Sequence, residues 1–288
     1  MLNTLVLNPV ANRKMKKAPM DMAIKGFHLR GYPQTNDTWA ISPSFTLKVD
    51  HAARLDDLPL SPFVFPFYFD MPMIVKQNAE LELEYDTQGI VGGAGVKAGL
   101  VDANPPVLIL EWEPLSQVRR AGNTIMKSFR VDNLATQYQF ELFRKYHTSV
   151  LSSFCYEDNL VLDVPGATSH FDSLINFPVM NSANSFVLKY QISPTQDVRL
   201  IDEGQVEWWR YGHFKRFYTD AAGSMLPQVF RRRYWPGILI KPDFEFFMDR
   251  QLPAAGLATG TNFVFEYFYM SPEEFADISK KSGTAPRT

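Results

Sequence analysis

Five histidines, at positions 28, 51, 147, 170 and 213, are the side chains best suited to proton transfer or metal ligation in this chain. None stands in the His-x-His or His-x3-5-His spacing that puts two imidazoles on one metal ion. A metal-binding cupin, which uses a β sandwich, would need such a cluster, so no metal site is expected. Cys155 lies in Leu151-Ser152-Ser153-Phe154-Cys155-Tyr156, an apolar setting that raises a thiol pKa and suits an inert side chain better than a nucleophile. There is no Gly-x-Ser-x-Gly elbow. The run Gly92-Gly93-Ala94-Gly95-Val96-Lys97-Ala98-Gly99 is glycine-rich like a phosphate-cradling loop but lacks the terminal Gly-Lys-Ser/Thr, so a flexible hairpin is expected instead. Nothing in these residues calls for a cofactor, a small-molecule substrate or a catalytic role.

Two further groups have chemical potential. Glu80, Glu82 and Glu84 alternate along one strand and share a face; two acids across a cleft could serve a glycosidase, but acids stacked on one strand read as a solvated face that needs cations from its neighbours. The richer group holds Trp208, Trp209, Arg210 and Tyr211, then His213 to Tyr218 with Phe214, and then Arg231, Arg232, Arg233, Tyr234 and Trp235. Aromatic and arginine side chains mixed in this way are enriched where proteins meet, because they bury much area and keep a polar handle. Trp208, Trp209, Tyr211, Phe214, Arg231, Arg232, Arg233 and Trp235 are therefore expected at a subunit interface. Sugar rings and single-stranded bases could stack on the same set and rank behind it.

The elements that must position these residues are strands. Glu80-Leu81-Glu82-Leu83-Glu84-Tyr85 alternates with period two, so one face is buried and the other wet. Val107 to Glu113 and Phe263 to Met270 are nearly continuous β-formers, expected as central strands or contact surfaces. Twenty Pro and 16 Gly cut most segments to strand length. Two helices are expected, one over 135–150 from the spacing of Tyr138, Leu142 and Tyr146. The other runs from Pro272 to Lys280, where Ser271 caps, proline opens and Glu273 and Glu274 fill the first turn.

Three segments of the first half return in the same order in the second. Ser44-Phe45-Thr46-Leu47-Lys48 matches Ser185-Phe186-Val187-Leu188-Lys189. Ile74 to Asp86 matches Leu239 to Asp249, and Leu108-Ile109-Leu110-Glu111-Trp112 matches Phe263-Val264-Phe265-Glu266-Tyr267. A chain of 288 residues accommodates two such copies, and 45% hydrophobic residues with 23 Phe suffice for two cores. The expected organisation is a basic N-terminal arm over 1–20, a first sandwich over 21–120, and a second over 121–288 with an insertion near 191–238 and a short C-terminal helix. A net charge of −2 gives no global reason to bind nucleic acid, so such contact would come from a local patch such as Arg13, Lys14, Lys16 and Lys17. A single cysteine excludes an internal disulfide framework, no stretch opens the chain as a signal peptide, and no apolar run is long enough to span a bilayer; synthesis in a reducing cytosol is expected.

The duplicated, proline-rich β sandwich with a basic start and no catalytic constellation resembles the double jelly-roll major capsid proteins of tailless, often membrane-containing icosahedral viruses of the bacteriophage type. The three matched segment pairs carry the resemblance, over about Met22 to Pro272. It implies an all-β fold of two consecutive antiparallel jelly rolls with few short helices. It also implies a homotrimeric, pseudo-hexameric capsomer in an icosahedral virion shell, made in the host cytoplasm, meeting neighbouring capsomers and minor capsid proteins. The inter-strand loops would form outer towers, small in the compact first copy. Arg13, Lys14, Lys16 and Lys17 would face an inner membrane or genome. A minor capsid or spike protein and a carbohydrate-binding module using Trp208 and Trp209 are the alternatives.

Overall fold

The computed structural model describes residues 2–8, 16–30, 39–41, 44–60, 63, 66–86, 90–91, 96–97, 106–132, 137–140, 149–158, 186–193, 196–202, 228–240, 245–250 and 260–281. Its strands are β1 (Asn3–Leu7), β2 (Lys16–Lys17), β3 (Met22–Arg30), β4 (Trp39–Ile41), β5 (Ser44–Val49), β6 (Ala52–Pro59), β7 (Phe67–Val75), β8 (Glu80–Asp86), β9 (Ile90–Val91), β10 (Val96–Lys97) and β11 (Val107–Pro114) in the first half. The second half has β12 (Thr124–Asp132), β13 (Gln137–Phe140), β14 (Ser149–Asp158), β15 (Phe186–Ser193), β16 (Gln196–Asp202), β17 (Gln228–Ile240), β18 (Glu245–Arg250) and β19 (Gly260–Tyr269), followed by helix α1 (Pro272–Lys281).

Strand order displays the duplication. The first copy forms sheets β1-β11-β3-β7 and β2-β8-β5-β6; the second forms β12-β19-β14-β17 and β13-β18-β15-β16. Leaving aside the short β4, β9 and β10, each copy orders its eight strands 1-8-3-6 in one sheet and 2-7-4-5 in the other, which is the jelly-roll order. The three segment pairs matched in sequence fall on equivalent strands: β5 with β15, the end of β7 and β8 with the end of β17 and β18, and β11 with β19. Irregularities recur as well. Between Ile24 and Gly26 the partner strand jumps from Met73 to Tyr68; between Leu151 and Ser153 it jumps from Ile238 to Arg233. Both jumps sit at the same offset of 165 residues (73 to 238, 68 to 233), so β7 and β17 bulge outward at the same place.

The core of the first roll follows from period two. In β5 the burial alternates with every residue, sending Phe45, Leu47 and Val49 inward. Phe27 sits at its centre, with ring centroids 6.0, 5.0, 5.6 and 5.6 Å from Phe45, Phe63, Phe67 and Phe69. Each such ring contributes about 1.5–3 kcal/mol by leaving water. Gly26, beside Phe27, is required by close approach, because a Cβ there would lie 2.4 Å from the Phe67 carbonyl oxygen. The hairpin between β5 and β6 turns on Asp50 and His51, both with positive φ (48° and 65°), as a two-residue turn matched to strand twist needs. Asp50 also accepts from Glu80 N–H at 2.8 Å.

Three expectations are corrected. Within the segment expected as a helix over 135–150, the described residues are strand. Gln137–Phe140 is β13 and Ser149 opens β14, because Tyr138 and the buried Phe140 stand two apart around an exposed Gln139, a strand period that outweighs the four-residue spacing. The start of the chain is not a free arm. β1 pairs with β11 and sends Leu5 and Leu7 into the core, and β2 pairs Lys16 with Leu81 and Lys17 with Glu80. The extra length of the second copy is narrower than 191–238, since β16 and β17 occupy both flanks and leave 203–227 against 60–66 in the first copy. The terminal helix stands where its cap signals placed it: Ser271 N–H donates to Glu274 Oε2 at 3.0 Å and Glu274 N–H donates to Ser271 Oγ at 3.2 Å, a reciprocal capping box.

Candidate assembly surface

The two rolls share one continuous sheet. β6, at the edge of the first roll, pairs in parallel with β12, the first strand of the second, through Met126 with Leu55 and Lys127 with Asp56. Lys127 Nζ lies 3.5 Å from Asp56 Oδ2, a half-exposed ion pair of small energetic weight. The outward bulge of β7 clasps the same joint. Asp70 N–H donates to Glu266 Oε1 at 2.7 Å, Thr124 Oγ1 donates to the Met71 carbonyl at 2.5 Å, and Gly122 N–H donates to the Pro72 carbonyl at 2.9 Å. Glu266 is 1% exposed, and its carboxylate gains a charge-assisted hydrogen bond that crosses from one roll to the other. Met126 and Val264, both from the second roll, complete the hydrophobic core of the first.

Strand directions sort the connections between two ends of the molecule. Among the described residues, the tight turns 18–21, 50–51 and 76–79, the linker 115–123 and α1 lie at one end. The first copy is not uniformly the compact one, since 87–106 exceeds its counterpart 251–259. The short β9–β10 ladder within it, Val96 opposite Val91 and Lys97 opposite Ile90, flanks the glycine-rich run, consistent with a hairpin.

The tight-turn end carries exposed cations: Lys16 and Lys17 in β2, and Arg119 and Arg120 in the linker. Lys16 Nζ donates to the Val6 carbonyl at 3.0 Å. Arg119 and Arg120 line a cleft of about 610 Å³ with Lys25, Tyr68, Asp70 and Gln117. Asp21 sits at the same end; the Gln77 backbone N–H and then the Lys76 ammonium hold its carboxyl below the usual aspartate range. On the outer face of the first sheet, burial and a hydrogen bond to Glu111 push the Tyr68 phenol up, and His28 Nδ1 lies 3.6 Å from Glu111 Oε1. Burial raises Tyr85 as well, and its hydroxyl donates to the Pro106 carbonyl at 2.5 Å. In the glutamate row on β8, Glu84 lies 2.7 Å from the Lys48 ammonium and Glu80 lies 3.8 Å from His51 Nε2, while Glu82 is buried rather than on the wet face expected for the row. Among the described residues no three His, Cys, Asp or Glu side chains gather as metal ligands would.

Of the residues expected at an interface, Arg231, Arg232, Arg233 and Trp235 lie on β17, an edge strand of the eight-stranded sheet, with Arg231, Arg232 and Arg233 opposite Cys155, Phe154 and Ser153. Trp208, Trp209, Tyr211 and Phe214 lie outside the described residues, as do Arg13 and Lys14. Sequence reasoning missed Glu266 and the bulge of β7 that it holds. The signal was present in the Glu shared by Leu-Ile-Leu-Glu-Trp and Phe-Val-Phe-Glu-Tyr.

Two eight-stranded wedges of identical strand order define a double jelly roll. The chain is similar to the crystal structure of the major capsid protein P2 from Bacteriophage PM2, at 12% identity and a TM-score of 0.47, over 95% of this chain and 100% of that one. It is also similar to PBCV-1 VP54, solved as a crystal structure fitted into a cryo-EM reconstruction of the virophage Sputnik, at 12% identity and a TM-score of 0.33, over 94% of this chain and 91% of that one. No family model and no curated protein matches the chain.

Proposed function

We propose that this chain is a structural, non-enzymatic virion protein whose copies build an icosahedral capsid shell, three of them forming a pseudo-hexameric capsomer. The observation that carries this reading is the tandem itself. Two wedges of the same strand order stand side by side in one sheet, so three copies supply six similar wedges around a ring. The exposed Lys16, Lys17, Arg119 and Arg120, with Arg13 and Lys14 nearby in sequence, suit an inner surface that meets anionic headgroups or genome. The Arg- and Trp-rich stretch from Trp208 to Trp235 suits contact with neighbouring capsomers or minor capsid proteins. Light scattering on purified protein tests the capsomer. A particle near three times 32.9 kDa is expected, and a monomer at every concentration overturns it.

A further inference from the structure

The joint within one chain is a template for the joint between chains. Matching β11 to β19 through their shared Glu makes Glu111 the equivalent of Glu266 and Ile109 the equivalent of Val264. Carried across the β1–β11 and β12–β19 ladders, this makes Leu2, Thr4 and Val6 the equivalents of Thr124, Met126 and Ser128. In the second roll these positions are covered by the first: Thr124 and Met126 are 0% exposed, Ser128 6%, Val264 1% and Glu266 1%. In the first roll the β1 positions face outward, with Leu2 39% and Val6 41% exposed and Thr4 in solvent beside them, while beneath them Ile109 is 9% exposed and the Glu111 side chain 14%. Two apolar side chains among the most exposed of the described residues thus sit where the other copy keeps buried ones.

The complementary half of the joint is also duplicated. The first roll covers its partner with the edge strand β6 and the bulge of β7 at 69–72. The second roll has the same parts, the edge strand β16 and the bulge of β17 at 234–237. Among the described residues β16 pairs with β15 alone and β1 with β11 alone, so each is an edge strand; the Val6 carbonyl of β1 accepts from the exposed Lys16 side chain, which a pairing strand would displace.

We propose that β16 and the β17 bulge of one copy dock on β1 and β11 of a second copy. β16 then pairs in parallel with β1, and the Trp235 N–H reaches Glu111 as the Asp70 N–H reaches Glu266. The contact rests on the capsomer reading and deepens it. It is head-to-tail, so its repetition gives a closed ring or an open filament. One element of the template is absent: Leu5 stands where the internal joint has Lys127, so backbone pairing and apolar burial carry the contact rather than an ion pair.

Thr4 and Ile201 occupy the register positions of Met126 and Leu55. A T4C/I201C double variant is expected, on oxidation, to give covalent dimers and trimers on a non-reducing gel, while T4C and I201C alone stay monomeric there. Light scattering on the same sample separates the two readings. A trimer that does not cross-link overturns the β16–β1 contact and leaves the capsomer standing; a monomer overturns both. Independently, T4E/V6E should weaken self-association by roughly 10-fold or more with an unchanged circular dichroism spectrum. Unchanged association would also overturn the contact.

Discussion

Glu266 and Glu111 occupy the same place in two copies of one fold and live in different surroundings. Glu266 is sealed between the rolls and holds a backbone N–H of the other roll; Glu111 faces outward beside Tyr68 and His28. The same residue at the same strand position is a sealed joint in one copy and a partly covered group, 14% exposed, in the other. What separates them is not local sequence but whether a neighbouring roll is supplied by the chain itself.

This contrast is broken most severely by opening the core the two rolls share. Met126 belongs to the second roll by sequence and to the first by packing, so Met126→Ala should cost about 2–5 kcal/mol in denaturant unfolding. A loss below about 1 kcal/mol would mean that the rolls do not share a core. The paired glutamates sharpen the comparison next. Glu266→Ala leaves a buried N–H without its acceptor and should cost about 1–3 kcal/mol, whereas Glu111→Ala in the isolated subunit gives up only its contacts with the exposed Tyr68 and with His28 and should cost less, about 0.5–1 kcal/mol. Equal losses would erase the distinction drawn here.

The smallest effect concerns acid. Asp21 ties the turn before β3 to the turn after β7, and its folded pKa lies below the unfolded one. Its contribution is present above the ordinary aspartate range and disappears as pH falls through the folded value. Asp21→Asn should therefore be slightly less stable than the parent at neutral pH and indistinguishable from it in strong acid. A pH series of thermal midpoints checks this; a difference that grows on acidification would contradict it.

The duplication was legible because it rests on strands rich in Leu, Ile, Val and Phe, the small alphabet that inward-packing strand positions draw on. β5, β8 and β11 could be read against β15, β18 and β19 for that reason. β1 and β12 could not be matched, because Asn3–Leu7 and Thr124–Asp132 face different neighbours and share almost nothing in sequence. The short Leu5-Val6-Leu7 run beside a basic cluster read as an arm, since only its pairing with Leu110, Ile109 and Leu108, a hundred residues later, makes it a core strand. Gln137–Phe140 misled for a related reason: Tyr138, Leu142 and Tyr146, four apart, fit a helix until the facing strand β18 is in place. The assembly surface was legible only as composition. Which aromatic and arginine residues share an edge depends on the sheet order.

The contribution of Met126 and Val264 to the first roll's interior also sets an order of events during synthesis. The roll made first by the ribosome cannot be sealed until residues near the other end of the chain have been made. Until β19 arrives, the pocket that Val264 fills stays open, and a nascent chain ending near residue 120 would present greasy surface to its surroundings. The half that is born earliest is thus finished no sooner than the half that follows it.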